Sequence, residues 1–168
     1  HAVIPNPAML EPTAPQPFVV TPRTRVYVDS AASPEVEAIG RFAAELISPV
    51  AGAVAQRLAT GAAAPDSSIS LALDPSRVSL GTEGYELVAS PTAVRIVAAE
   101  PAGLFYGVQT LRQLLPPSVE HQAAINRRLT VPSVHVVDSP RFAWRGAMLD
   151  VARHFLPPDD VKRFIDLL

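Results

Sequence analysis

Arg153 and His154 stand directly behind an apolar segment, Arg145-Gly146-Ala147-Met148-Leu149-Asp150-Val151, that has the make-up of a β-strand. A short loop through Pro157-Pro158 comes next. A helix is then expected from Asp159, with an apolar stripe at Val161, Phe164, Ile165 and Leu168 spaced i, i+3, i+4, i+7. Strand, loop and helix make one βα unit. If that unit opens a (β/α)8 barrel, chemistry belongs at the C-terminal ends of its strands, which is where Arg153 and His154 fall. Other constellations are missing or have plainer readings. His1, His121, His135 and His154 show no metal-ligand spacing. There is no Gly-x-Ser-x-Gly elbow and no phosphate-cradling glycine loop. With no cysteine in the chain, thiolate catalysis, Cys-ligated zinc and a disulfide framework are excluded together. Asp159-Asp160 sits where a helix N-terminus favours negative charge, so capping explains the pair without catalysis. Asn126-Arg127-Arg128 reads as a solvated loop.

The elements ahead of this unit must position it. Residues 1–17 are punctuated by Pro5, Pro7, Pro12, Pro15 and Pro17 and read as an extended lead-in. Phe18-Val19-Val20 and Val26-Tyr27-Val28 are expected strands on either side of Thr21-Pro22-Arg23-Thr24. Ser33 as N-cap and Pro34 at the first helical position open a helix whose buried face is Val36, Ile39, Phe42, Ala43, Leu46 and Ile47. Ser48-Pro49 stops it. Residues 51–67 read as a loop with a short extended piece. Ile69, Leu71 and Leu73 alternate with polar or small residues as a half-buried strand, and Tyr85–Ala89 with Ala93–Ala98 form a hairpin across Ser90-Pro91-Thr92.

A second helix runs from Glu100-Pro101 to Pro116-Pro117, its apolar face made by Leu104, Phe105, Val108, Leu111, Leu114 and Leu115. Gly103 and Gly107 lie one turn apart on it. Each costs a helix interior about 1 kcal/mol relative to Ala. Close packing against a neighbouring element is the simplest compensation, and a ligand-facing groove is the alternative. Residues 118–128 read as a polar loop, followed by strands at Leu129–Val131 and Val134–Val137 divided by Pro132. The order predicts an α+β domain over residues 1–137, an antiparallel-rich sheet with two helices on one face. Residues 138–168 then read as one βα unit, the first of a truncated TIM barrel if a (β/α)8 barrel follows.

Lys and Arg number 14 against 16 Asp and Glu, a net charge of −2, which offers no basic excess for a phosphate backbone. Hydrophobic residues make up 48%, enough for a buried core. No apolar run approaches the ~18 residues of a membrane helix. The chain opens on His1, as a processed protein does, and its last helix stops in mid-stripe at Leu168 without a cap, so the expectation is the front part of a longer protein.

Two stretches carry a resemblance. One runs from Glu83-Gly84-Tyr85-Glu86-Leu87 through Ala102-Gly103-Leu104-Phe105-Tyr106-Gly107-Val108-Gln109-Thr110-Leu111-Arg112-Gln113-Leu114-Leu115. The other is Asp138-Ser139-Pro140-Arg141-Phe142-Ala143-Trp144-Arg145-Gly146, followed by Leu149-Asp150-Val151-Ala152-Arg153-His154-Phe155. They resemble glycoside hydrolase family 20, the β-N-acetylhexosaminidases: the end of the small N-terminal domain and the beginning of the catalytic barrel. The second is the more specific, joining Pro-Arg-Phe-x-Trp-Arg-Gly to Asp-x-x-Arg-His at fixed separation.

The resemblance implies a retaining exo-hydrolase that removes terminal β-linked N-acetylglucosamine or N-acetylgalactosamine from an oligosaccharide or glycoconjugate. It needs no cofactor and works outside the cytoplasm, with no nucleic-acid or membrane partner. It belongs to the substrate-assisted class, in which the acetamido oxygen of the sugar attacks C1 while a Glu protonates the leaving oxygen and an adjacent Asp steadies the acetamide. That Asp-Glu pair is expected beyond Leu168, so this stretch alone is expected to be inactive. Arg153 matches the family's arginine that binds hydroxyls of the terminal sugar. A planar guanidinium suits two adjacent hydroxyls; an ion pair with Asp150 is the other reading of it. His154 is either a residue that positions a carboxylate or a packed histidine bound to backbone, the latter being favoured. Asp150 is expected as a buried support within the strand, and Arg145 and Trp144 as pins of the domain junction. The family's domain arrangement would make the Gly103/Gly107 stripe an inter-domain face. Two rivals remain. One is another exo-glycosidase with the same accessory domain, such as an α-glucuronidase or an O-GlcNAc hydrolase. The other is a non-catalytic interaction module.

Overall fold

Rows of apolar side chains on alternate strand positions build a central sheet, and two amphipathic helices cover one of its faces. The computed structural model describes residues 3–29, 32–51, 55–58, 64–120 and 128–167. In chain order these hold β1 (Met9–Pro12), β2 (Phe18–Val19), β3 (Arg25–Asp29), α1 (Pro34–Ile47), β4 (Ala55–Leu58), β5 (Ser68–Leu73), β6 (Tyr85–Ala89), β7 (Ala93–Ala98), α2 (Pro101–Leu114), β8 (Thr130–Val131), β9 (Val134–Asp138) and α3 (Pro158–Asp166). Seven strands form one sheet in the order β1-β9-β6-β7-β5-β3-β4, and β2 pairs with β8 beside it.

The register places Val28, Leu71, Ile96, Leu87, Val136 and Leu10 in one row across the sheet. Both helices sit on that side. In α1 the start is dictated by the sequence: Ser33 Oγ accepts from the Val36 N–H, and Pro34 comes next, at a position where no N–H is needed. Val36, Ile39, Ala43, Ala44 and Ile47 of α1 are buried with Leu104, Val108, Leu111 and Leu114 of α2. Phe42 stacks on Phe105 where the two helices meet, with ring centroids 6.1 Å apart. The opposite row, Glu11, His135, Val88, Arg95, Ser70, Tyr27 and Gln56, is mostly polar.

The α+β class and the placing of both helices on one face match the sequence reading. The sheet itself is mixed. Pairs β1·β9, β9·β6 and β6·β7 are antiparallel, whereas β7·β5, β5·β3 and β3·β4 are parallel. The β3·β4 pair is parallel because β3-α1-β4 is a crossover unit whose last strand is the short extended piece expected in 51–67. The Pro-rich lead-in supplies β1, which gains strand character by pairing with β9, Met9 opposite Val137.

Gly103 and Gly107 face this sheet rather than another domain. A Cβ on Gly103 would lie 2.2 Å from the Gly84 carbonyl oxygen, and one on Gly107 would lie 2.4 Å from Ile96 Cγ2. The expectation of close packing therefore holds, and the inter-domain face is corrected.

The segment 145–151 forms no ladder among the described residues. A strand exists through its ladder, and among the described residues no chain pairs with it; apart from half-buried Leu149 it is exposed. Trp144, expected at a packed junction, is 88% exposed. Helix α3 forms where its stripe predicts, with Asp159 and Asp160 in its first turn. Val161 and Phe164 are half-buried and Ile165 is exposed, while Leu168 lies outside the described residues. So do His1, His121, Asn126 and Arg127.

Candidate functional site

Asp150 organises the turn that carries Arg153. Its Oδ1 accepts from the backbone N–H groups of Ala152 (2.9 Å) and Arg153 (3.2 Å), the arrangement by which an Asp holds its own chain in a turn. Its Oδ2 meets Arg153 Nη1 at 3.1 Å. One carboxylate therefore sets both the backbone and the guanidinium of Arg153, whose side chain stays 87% exposed. Expected as a buried support within a strand, Asp150 is here a half-exposed turn-former, with no ladder around 145–151 among the described residues. His154 is exposed as well, so a packed histidine is not what this structure holds. Asp150 and Arg153 are brought together, and His154 takes no hydrogen bond from or to them.

Eight residues upstream, Arg145 binds back onto the sheet-and-helix unit. Glu83, in the turn before β6, receives Nη1 on Oε2 at 3.1 Å and Nη2 on Oε1 at 2.8 Å. Nη2 also donates to Tyr106 Oη of α2 at 2.7 Å, and Nη1 to the carbonyl of Phe142. The guanidinium carbon lies 5.3 Å from the Tyr106 ring centroid, within cation–π range. Arg145 is thus a junction pin, as its position in the sequence suggested. Its partners were not anticipated, although Glu83 and Tyr106 both fall inside the first of the two resembling stretches.

Next to this pin a groove of about 440 Å³ runs between α2 and residues 138–145, lined by Tyr85, Tyr106, Gln109, Thr110 and Asp138 among others. Tyr85 Oη bonds Thr110 Oγ1 at 2.5 Å, and burial pushes its phenol up to about 12. At its far side Ile4 and Gln113 exchange hydrogen bonds of 2.8 and 2.9 Å, and Asp138 Oδ1 accepts from the Ala8 N–H. The groove is an assembly of structural contacts from four separate parts of the chain.

The Arg145 hydrogen bonds hold Glu83 below its ordinary value of 4.5, against the opposing effect of desolvation. A depressed carboxylate stabilises the fold fully above its unfolded value, and that stability is lost as pH falls through 4.5 towards the folded value. Asp74 and Glu120 are depressed too, so acid weakens the fold at several points. Comparing the native protein with Glu83→Gln isolates one of them. The melting temperature of the native protein is expected to exceed that of the variant at pH 6, with the gap narrowing as pH falls below 4.5. A constant gap would show that the Glu83 charge contributes nothing.

Residues 1–139 match the family model for glycosyl hydrolase family 20, domain 2, and residues 142–168 match that for glycosyl hydrolase family 20, catalytic domain. The chain belongs to glycosyl hydrolase family 20. It is 43% identical over 167 residues to a β-N-acetylhexosaminidase of Cellulomonas fimi, covering 99% of this chain and 32% of that protein. A solved Streptomyces plicatus N-acetyl-β-hexosaminidase in complex with Thio-NAglucal superposes with a TM-score of 0.81 at 42% identity, covering 98% of this chain and 31% of that one. The enzyme from Streptomyces coelicolor superposes equally well, at 0.81 and 41% identity, with 98% and 32% covered. The chain thus spans about a third of the length of these relatives.

Proposed function

We propose that the protein containing these residues is a retaining exo-β-N-acetylhexosaminidase that removes terminal N-acetylglucosamine or N-acetylgalactosamine by substrate-assisted catalysis. Residues 1–137 serve as its accessory domain and residues 138–168 begin its catalytic barrel. Arg153 binds hydroxyls of the terminal sugar. The observation that carries this reading is the Asp150 turn, which fixes the backbone at Arg153 and meets one nitrogen of its guanidinium, Nη1, while leaving the side chain open. A fork met at Nη1 alone still presents its other donors in a plane, which suits a pair of vicinal hydroxyls. Asp150 is then the residue that aims Arg153, and the ion pair and the sugar contact are two parts of one arrangement. The names of the relatives support the same substrate class. A mutant of the S. plicatus enzyme in complex with GlcNAc as product superposes at a TM-score of 0.81 and 42% identity. The α-glucuronidase and O-GlcNAc hydrolase readings gain nothing from these matches.

In the proposed reaction the acetamido oxygen forms a bond to C1 as the glycosidic C–O bond breaks. A Glu outside these residues gives its proton to the leaving oxygen, and water then opens the oxazolinium with retention. The test is a pair of aryl glycosides offered to the full-length protein. An aryl N-acetyl-β-glucosaminide is expected to turn over, and the aryl β-glucoside, which has no acetamide, is expected to be slower by about 10³-fold or more. Equal rates would refute the acetamide as nucleophile, and no turnover of either would refute the hydrolase.

A further inference from the structure

Arg145 connects two regions that are separate in the sequence: the sheet-and-helix unit behind it and the Asp150–Arg153 turn ahead of it. We propose that Glu83 and Tyr106 are positioning residues for the sugar site, acting through Arg145 to set the register of the segment that ends in Asp150 and Arg153. The inference rests on the reading of Arg153 as a sugar ligand.

The clamp has a rigid mounting. Glu83 precedes Gly84, and the Gly84 carbonyl lies so close to α2 that Gly103 has no room for a Cβ. Tyr106 lies three residues after Gly103 on the same helix. The turn that carries one acceptor is thus seated directly on the helix that carries the other, backbone against backbone. Tyr106 Oη also donates to Glu83 Oε1 at 3.3 Å, and the Tyr106 ring is met edge-on by Phe105, with centroids 5.7 Å apart. Arg145 enters this frame with both guanidinium edges engaged, and its bond to the Phe142 carbonyl closes the chain on itself at the same point.

The importance of the clamp lies in the chain between Arg145 and Asp150. These two residues are five positions apart, about 16 Å of extended chain at ~3.3 Å per residue. Among the described residues nothing pairs with that stretch. When a neighbouring strand draws this segment into extended chain, its side chains alternate, so a slip of one residue would turn Asp150 to the opposite face and displace it by about 3.3 Å. Misplacement by about 1 Å at a binding group can cost on the order of a hundredfold in rate. A fixed point at Arg145 holds the segment in one register before any neighbouring strand joins it. The accessory unit thereby shapes the sugar site without touching sugar.

The test uses the full-length protein with Glu83→Gln, Tyr106→Phe and their combination. Glu120→Gln serves as control, since it removes the comparable bidentate pair with Arg112 on the same helix (2.6 Å for each bond). For Glu83→Gln, kcat/KM is expected to fall about tenfold, mostly through KM. Amide hydrogen exchange over residues 147–153 should rise about tenfold while β6, β7 and α2 exchange at native rates. The double variant should lose less than the product of the single effects, as groups sharing one arginine do. Glu120→Gln should leave KM and exchange over 147–153 unchanged. A lower melting temperature with native KM and native exchange over 147–153 would make the clamp a stability element and overturn the proposal. If the native protein fails to cleave the aryl glycoside, the sugar reading falls on its own, and the exchange measurement still decides whether Glu83 and Tyr106 hold the segment.

Discussion

Replacing Gly103 by alanine is expected to destabilise the protein by about 2 kcal/mol or more, against a helix propensity that favours the change by about 1 kcal/mol. The two effects have opposite signs, so the result discriminates between them. An alanine Cβ would lie 2.2 Å from the Gly84 carbonyl oxygen and 2.8 Å from Ala98 Cβ. Neither neighbour is the end of a flexible side chain, so α2 has to lift from β6 and β7. Lifting it opens the layer around Leu104, Val108 and Leu111, all fully buried. It also moves Tyr106 away from Arg145, which predicts that the same variant loosens residues 147–153. Gly107→Ala meets Ile96 Cγ2 at 2.4 Å and the Tyr85 ring at 3.3 Å; Ile96 is fully buried and β-branched, so its Cγ2 moves only if χ1 turns, and this variant too should be destabilised. Gly146→Ala has nothing within 4 Å and should stay within about 0.5 kcal/mol of the native protein. Urea unfolding at constant slope gives all three values. A midpoint for Gly103→Ala at or above the native one would show that the Gly84 backbone yields, and the seam would lose its meaning as a rigid contact.

Local chemistry was legible in the sequence wherever a few adjacent residues decide the structure. Ser33-Pro34 announces α1 because capping and a missing N–H are properties of two neighbours, and Ser90-Pro91-Thr92 turns the β6–β7 hairpin for the same reason. Gly103 and Gly107 signal a close approach but not what is approached, since Gly84 and Ile96 reach them only in the folded chain. Pairing partners were harder to read. Strand β1 carries Pro12 and no strong alternation, and it exists because β9 offers an edge. The parallel order β7-β5-β3-β4 depends on which strands become neighbours in the folded sheet, which hydrophobic periodicity does not encode. Segment 145–151 shows the converse failure. Its composition is that of a strand, but composition without a neighbour makes no ladder. At the site, Arg153 and Asp150 could be named because they lie three positions apart. The Glu83–Arg145 pair spans 62 positions, and nothing in its sequence neighbourhood marks it as a pair.

Arg153→Ala in the full-length protein is expected to lower kcat/KM by about a hundredfold, or ~2.7 kcal/mol, on an aryl N-acetyl-β-glucosaminide. Hydrogen bonds from a charged donor are worth about 1.5–3 kcal/mol each, and a fork on two hydroxyls makes two. Part of that is returned because water replaces the sugar at a site that is 87% exposed here. Arg153→Lys keeps the charge but has a single point of donation, so it should recover little of the loss. Asp150→Asn separates aim from contact. The amide keeps an oxygen for the N–H groups of Ala152 and Arg153 and loses the charge that faces Arg153 Nη1 at 3.1 Å. Its activity should therefore fall between that of the native protein and that of Arg153→Ala. A fall below about tenfold for Arg153→Ala would remove the sugar contact and leave the guanidinium as no more than a partner for Asp150. Equal losses for Arg153→Lys and Arg153→Ala, with Asp150→Asn near native, would instead locate the effect in the two-donor geometry of the fork and show that the turn alone suffices to aim it.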